Sequence, residues 1–270
     1  MAAKRRYSKA SSRIAKRNRS KRIFNLSLRI AFPVVFFVGL VFLLRADFLQ
    51  IKNFEVLGAE AVSSESVKNV AAVFVSGNKL FIIPKSDILL LNKNKLASAL
   101  LSNFPRLEKV KINKQFFSKS VELSLTERKT DFLWCSPSNE CFFMTKEGLV
   151  FEKLDPVQIP REKIIFRGNL TEAPLMKNFA DAEKMQNYLK FIRFFEDAGF
   201  RINSINVESP DKAVAESDVG DIIFNPEEID LSLPAQNAIL LINDTKIKNP
   251  SARFNYIDTR FGNKIFYKLI

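Results

Sequence analysis

Polar and basic positions fill the first 25 residues, and an unbroken apolar run, Ile30 to Leu44 (IAFPVVFFVGLVFLL), follows them. Extended back to Leu26, the run covers about nineteen residues, or ~28 Å of helix at ~1.5 Å per residue, close to the ~30 Å hydrocarbon core of a bilayer. Arg29 and Arg45 flank it and can lift their heads to the two interfaces. Pro33 and Gly39 are tolerated in such helices. Residues 26–45 are therefore predicted to form a transmembrane helix. The exit, Leu43-Leu44-Arg45-Ala46-Asp47, lacks the small-x-small pattern of a cleavage site, which argues for an anchor that is retained.

Beyond the apolar run the period changes. Phe54-Glu55-Val56-Leu57 alternates and stops at Gly58, as a short strand does. Ser63 or Ser64 then caps a helical stretch in which Val67, Val70, Ala71 and Phe74 recur at three- and four-residue spacing. Asn92 opens a second helix through Leu96, Leu100 and Leu101 that must end before Pro105. Val110–Ile112 and Val121–Leu125 alternate as strands around the polar turn Phe117–Ser120. The order β-α-α-β-β predicts a small α+β unit, with both helices on one face of a three-stranded sheet.

From Asp131 the pattern is mostly β. A hairpin is expected at WCSPSNECFFM, its two strands each beginning with a Cys, then a strand at Gly148–Phe151 and a proline-punctuated stretch from Asp155 to Pro174. A third helix is predicted with Phe179, Ala182, Met185, Leu189, Ile192 and Phe195 along one face and Gly199 as its stop. Strands are expected at Arg201–Val207, Ala213–Glu216 and Ile222–Phe224, the last two joined by the turn Ser217–Asp221. Pro234 lies in the first turn of a further helix through Ala238, Leu241 and Ile242. The chain closes with Asn255–Phe261, the turn pair Gly262-Asn263, and Lys264–Lys268. The fold class is thus α+β: an N-terminal membrane helix, a β-α-α-β-β unit, and a mostly β-strand C-terminal domain with flanking helices.

Charge gives this layout a direction. Of the 42 Lys and Arg residues, twelve lie within residues 1–46, which hold no Asp or Glu; residues 47–270 are left with 30 basic against 29 acidic side chains. Under the positive-inside rule the tail, residues 1–25, is cytoplasmic and the remainder lies outside the membrane. The tail is expected to be disordered and to contact anionic lipid. A nucleic-acid partner is disfavoured, because the outer part is nearly neutral and phosphate binding needs clustered positive charge.

Candidate chemistry is sparse. The chain has no His, so the commonest general base and metal ligand is missing. A Ser-x-x-Lys pattern at Ser76–Lys79 carries Gly77-Asn78 inside it and reads as a loop. Glu227-Glu228 reads as solvated surface. With 8 Gly in the chain there is no Gly-rich phosphate loop. No catalytic, cofactor or metal site is expected, nor a small-molecule substrate. Cys135 and Cys141, the two cysteines, flank Ser136–Glu140, a strong turn sequence. In an oxidising compartment they are expected to form a disulfide across it.

Several segments, in order, resemble the FtsQ/DivIB family of bacterial cell-division proteins. They are Phe54–Gly58, Gly77-Asn78-Lys79-Leu80-Phe81, Phe104–Ile112, Val121–Arg128, Glu147–Phe151 and Tyr256-Ile257-Asp258-Thr259-Arg260-Phe261. The resemblance implies a POTRA domain at residues 50–128 and an FtsQ-type β domain at residues 131–270. It implies a non-enzymatic scaffold at the division septum, single-pass and type II in the cytoplasmic membrane, with the coiled-coil division proteins FtsB/DivIC and FtsL as partners. The alternative is another POTRA-bearing anchored protein that handles secreted polypeptides. The expected partner site is the closing strand, Lys264, Ile265, Phe266, Tyr267, Lys268 and Leu269. As a sheet edge it would accept a partner strand. Lys264, Phe266 and Lys268 would face one side of it, Ile265, Tyr267 and Leu269 the other.

Overall fold

The computed structural model describes residues 29, 31–79, 83–155, 160, 162–170, 173–262 and 264–270. Residues 31–44 form a helix, α1, that carries exposed Phe, Val and Leu side chains. Among the described residues no helix is long and apolar enough to cross a membrane. The start of the expected span, residues 26–28 and Ile30, lies outside the described residues, as does the basic tail.

The chain divides into two compact units, Met1–Asn103 with Lys109–Leu125, and Phe104–Glu108 with Thr126–Ile270. The first is built from β1 (Asn53–Leu57), α2 (Ser64–Phe74), the short strands β2 (Asn78–Lys79) and β3 (Ile83–Pro84), α3 (Lys93–Asn103), β4 (Leu107–Gln115) and β5 (Ser120–Glu127). Its sheet runs β1-β5-β4, with β1 parallel to β5 in the register Asn53↔Ser120 to Leu57↔Ser124. Both helix caps follow the sequence. The Ser63 hydroxyl accepts the Ser66 N–H at 3.3 Å, and Asn92 Oδ1 accepts the Lys95 N–H at 3.0 Å. Val67, Ala71, Leu96 and Leu100 of the helices are buried, as are Val121, Leu123 and Leu125, the alternate residues of β5. Gly58 holds φ +76°, and a Cβ there would lie 2.4 Å from the Leu125 carbonyl oxygen, so the chain leaves β1 through a position that excludes other residues. The β2–β3 pair was not expected; Leu80, Phe81 and Ile82 lie outside the described residues.

The second unit holds a ten-stranded sheet. Its strands are β6 (Phe132–Cys135), β7 (Cys141–Met144), β8 (Leu149–Lys153), β9 (Ile165–Arg167), β10 (Lys177–Asn178), β11 (Ile202–Ser209), β12 (Lys212–Ser217), β13 (Gly220–Phe224), β14 (Phe254–Phe261) and β15 (Lys264–Leu269). They lie in the order β10-β8-β7-β6-β9-β11-β12-β13-β14-β15. Most neighbours are antiparallel, but β9 is parallel to both β6 and β11, and β13 is parallel to β14. A parallel pair needs a crossover: α4 (Ala182–Asp197) supplies it between β9 and β11 and α5 (Ser232–Lys248) between β13 and β14, while the chain passes through β7 and β8 between β6 and β9. The two helices pack against each other.

The core between sheet and helices is aromatic. Phe166 meets Phe179 and Tyr188 at ring distances of 5.2 and 5.9 Å, and Phe191 meets Phe224 at 4.5 Å. Here the expected stripe of α4 needs correction. Met185, Tyr188, Phe191, Ile192 and Phe195 are buried, whereas Leu189 is half-buried and Phe179 precedes the N-cap Asp181. A helix covered by a sheet and a second helix buries a wider arc than a single stripe. The proline-punctuated stretch also contains a strand, β9. The cysteine hairpin forms, but β6 ends, rather than begins, at its Cys135.

Candidate partner-binding edge

The ten-stranded sheet ends on β15, and among the described residues no strand pairs with its outer side. β14 and β15 form a hairpin with Ile257 opposite Tyr267 and Asp258 opposite Phe266. Register shifts fall between Phe254 and Tyr256 and between Asp258 and Phe261. Both place the extra residue on β14, so β15 itself runs without interruption. Asn263, in the turn, lies outside the described residues.

The direction of the β15 amides follows. The Ile270 N–H donates to the Arg253 carbonyl at 3.0 Å. Backbone groups alternate along a strand, so the amides of Lys268, Phe266 and Lys264 turn toward β14. Those of Leu269, Tyr267 and Ile265 point away from it. An outward row of donors and acceptors is what an added strand needs.

The side chains divide by face. Ile265 packs against the core cluster, while Phe266 and Tyr267 stay 52% and 49% exposed, so neither aromatic ring is core. Phe266 meets Phe261 edge to face at 5.1 Å. Lys264, Lys268 and Leu269 are exposed. On β14, buried Asp258 receives a two-pronged guanidinium: Arg260 Nε donates at 2.9 Å and Nη2 at 2.7 Å. That hydrogen bonding holds the Arg260 pKa above its ordinary value and places the guanidinium 5.4 Å from the Phe261 ring centre. Sequence reasoning passed over this pair, although the i, i+2 spacing of Asp258 and Arg260 is its signal. With Asp258 spoken for, Lys264 and Lys268 leave the edge basic.

Other singled-out residues lie elsewhere. The Ser76 hydroxyl donates to the Val73 carbonyl at 2.7 Å, at the end of α2. Glu227 pairs with Lys184 at 2.6 Å. Cys135 and Cys141 face each other in register at the turn end of β6 and β7, their sulfurs joined at 2.03 Å. Among the described residues no group of three or more His, Cys, Asp and Glu side chains is placed to hold a metal ion.

No curated protein matches the chain. Residues 49–128 match the family model of the POTRA domain, FtsQ-type, a span that begins just before β1 and closes just after β5. The β-α-α-β-β order, the parallel β1–β5 pair and this match identify residues 49–128 as a POTRA domain of the FtsQ type.

Proposed function

We propose that this protein is a non-enzymatic, membrane-anchored scaffold of the bacterial divisome that links septal proteins through its extracytoplasmic units. The observation that carries the reading is the open β15 edge, with outward amides at Ile265, Tyr267 and Leu269 beside two half-exposed aromatic rings. A partner strand added there gains a hydrogen-bond ladder, and pockets beside Phe266 and Tyr267 select its side chains. The basic Lys264 and Lys268 favour an acidic partner segment. The FtsQ-type POTRA match supports a division role; partners of the FtsB/DivIC and FtsL type are what the resemblance to FtsQ/DivIB proteins implies.

The anchor is residues 26–45. Ten basic residues precede it, Arg29 and Arg45 lie near its ends, and residues 1–46 hold no acid, which favours the N-terminus in the cytoplasm and residues 47–270 outside, as in a type II protein of the septal membrane. A fluorescent fusion to the N-terminus tests the scaffold role. Midcell bands in dividing cells are expected, together with co-purification of FtsB/DivIC- and FtsL-type proteins. Uniform envelope fluorescence would favour a POTRA protein that handles secreted polypeptides. A periplasm-dependent reporter fused after Ile270 should be active; inactivity there overturns the topology.

A further inference from the structure

The first unit exposes five large apolar side chains on three segments that are bonded to one another: Phe48, Leu89, Leu90, Phe116 and Phe117, the last fully exposed. The Lys52 N–H donates to the Lys119 carbonyl at 2.8 Å, and the Ile88 N–H to the Leu49 carbonyl at 2.8 Å. Lys114 Nζ reaches the Leu89 carbonyl at 3.1 Å, and Lys119 Nζ the Asp47 carboxylate at 3.1 Å. Buried Asp87 accepts the Leu89 N–H at 2.7 Å and the Leu90 N–H at 3.3 Å, which fixes the turn that presents both leucines. Residues 47–52, the turn after Asp87 and the β4–β5 tip therefore form one end of this unit. It is the end at which the chain emerges from α1, because α1 closes at residue 44 and Phe48 follows within a few residues.

Clustered apolar exposure of this kind marks a contact surface. The charge around it says what it contacts. Lys52 and Lys119 share a single acid, Asp47, and Lys114 lies near Lys93 and one further acid, the buried Asp87, so four lysines face two carboxylates. The end is thus apolar with a surplus of positive charge, and it is continuous with the apolar helix. A bilayer surface with anionic headgroups matches on all three counts, since aromatic rings settle at the interface and lysines gather against anionic lipid.

We propose that the β4–β5 tip of the POTRA domain dips into the lipid headgroup layer beside the anchor. Phe116 and Phe117 enter the interface there, and Lys52, Lys114 and Lys119 lie against anionic headgroups. The proposal rests on the reading of residues 26–45 as a membrane anchor. It gives the tip a second job: a fixed height and tilt for the domain above the membrane.

The test uses the full chain in nanodiscs of equal parts phosphatidylcholine and phosphatidylglycerol, with the native cysteines oxidised. An environment-sensitive fluorophore is attached in separate samples at Ser118→Cys, Val38→Cys and Glu65→Cys, and nitroxide-labelled lipids serve as quenchers. Ser118 leaves both phenylalanines in place. Glu65 follows the far end of β1 and reports the opposite end of the domain. Quenching is expected at Ser118 and Val38 and not at Glu65. Ser118 should lose it in a Phe116→Ser/Phe117→Ser variant that still melts cooperatively, and lose part of it in phosphatidylcholine alone. Quenching at Val38 with Ser118 as bright as Glu65 overturns the tip contact while the anchor stands. No quenching at either Val38 or Ser118 removes the anchor, and the tip contact with it. Undiminished quenching in the serine variant overturns the insertion of the two rings.

Discussion

The rings of Phe254 and Tyr267 meet edge to face, 5.8 Å apart, across the last two strands of the large sheet. Phe254 is buried and Tyr267 is half exposed, so Tyr267 is steadied from below and still offers area to a partner. Such ring pairs contribute ~0.5–1.5 kcal/mol beyond area burial. Tyr267→Ala should cost about that much stability and about 2 kcal/mol of partner binding if Tyr267 is a hot spot. Proline separates backbone from side chain. Tyr267→Pro removes an outward amide and should abolish partner capture with the melting transition intact. Phe266→Pro removes an inward ladder bond and should destabilise the hairpin itself. Capture that survives deletion of Lys264–Ile270 would move the site to the POTRA strand around Leu107–Ile112.

The cysteine hairpin gives a second prediction. The Cys135–Cys141 bond closes a loop containing Ser136–Glu140, and so short a loop stabilises by about 1–3 kcal/mol. Mass spectrometry of the unreduced protein from cells should show the pair two hydrogen atoms lighter than the reduced form. Cys135→Ser/Cys141→Ser should lower the melting temperature accordingly. Two alkylatable thiols in protein isolated under native conditions would refute it.

Glu216 and Asp221 face each other directly across β12 and β13. Burial, and then the charge of Glu216, hold the Asp221 carboxyl above its ordinary range. The folded state therefore binds that proton more tightly than the unfolded chain does. Asp221 helps stability at pH values below its unfolded pKa, and that help is lost as pH rises through the raised folded value. At neutral pH, Asp221→Asn should raise stability by roughly 0.2–1 kcal/mol, the scale of a cross-strand pair, with the gain shrinking toward acid pH. Denaturant midpoints at several pH values check it.

Tyr188 is buried beneath the sheet, and among the described residues its hydroxyl has no hydrogen-bond partner. Burial also pushes its pKa far above the ordinary phenol value, so the group stays neutral. Tyr188→Phe keeps the ring contacts with Phe166 and Phe224 and removes an unmet donor. It should leave the protein as stable or stabilise it by about 1 kcal/mol. A loss of more than that in a urea titration would show that the hydroxyl is satisfied.

How much of this was legible in the sequence depended on range. The first unit read well because each element is local: Ser63 and Asn92 cap, Gly58 stops, and Val121, Leu123 and Leu125 alternate. The β12–β13 hairpin read well for the same reason. β9 and β10 did not, because three and two residues show no period, and their partners are distant in sequence. The burial of Tyr188 and Phe191 in place of Leu189 came from the second helix, which a one-face pattern does not register. At the edge, the alternation of Lys264–Leu269 was readable. The half exposure of both Phe266 and Tyr267, and the fork from Arg260 to Asp258, required the register of β14 against β15.

The smallest strand between the hairpins has a consequence for timing. β6–β8 and β11–β13 each assemble from neighbours in sequence, but they join through β9, three residues paired in parallel on both sides. During synthesis the first group is complete while β11 is still to come, so Trp134, whose indole N–H must reach the Gly168 carbonyl, waits without its cover. A Cβ at Gly168 would lie 2.2 Å from the Val207 carbonyl oxygen, so that closure tolerates no added bulk. Until that seam closes, an emerging chain is open to mispairing and to chaperones.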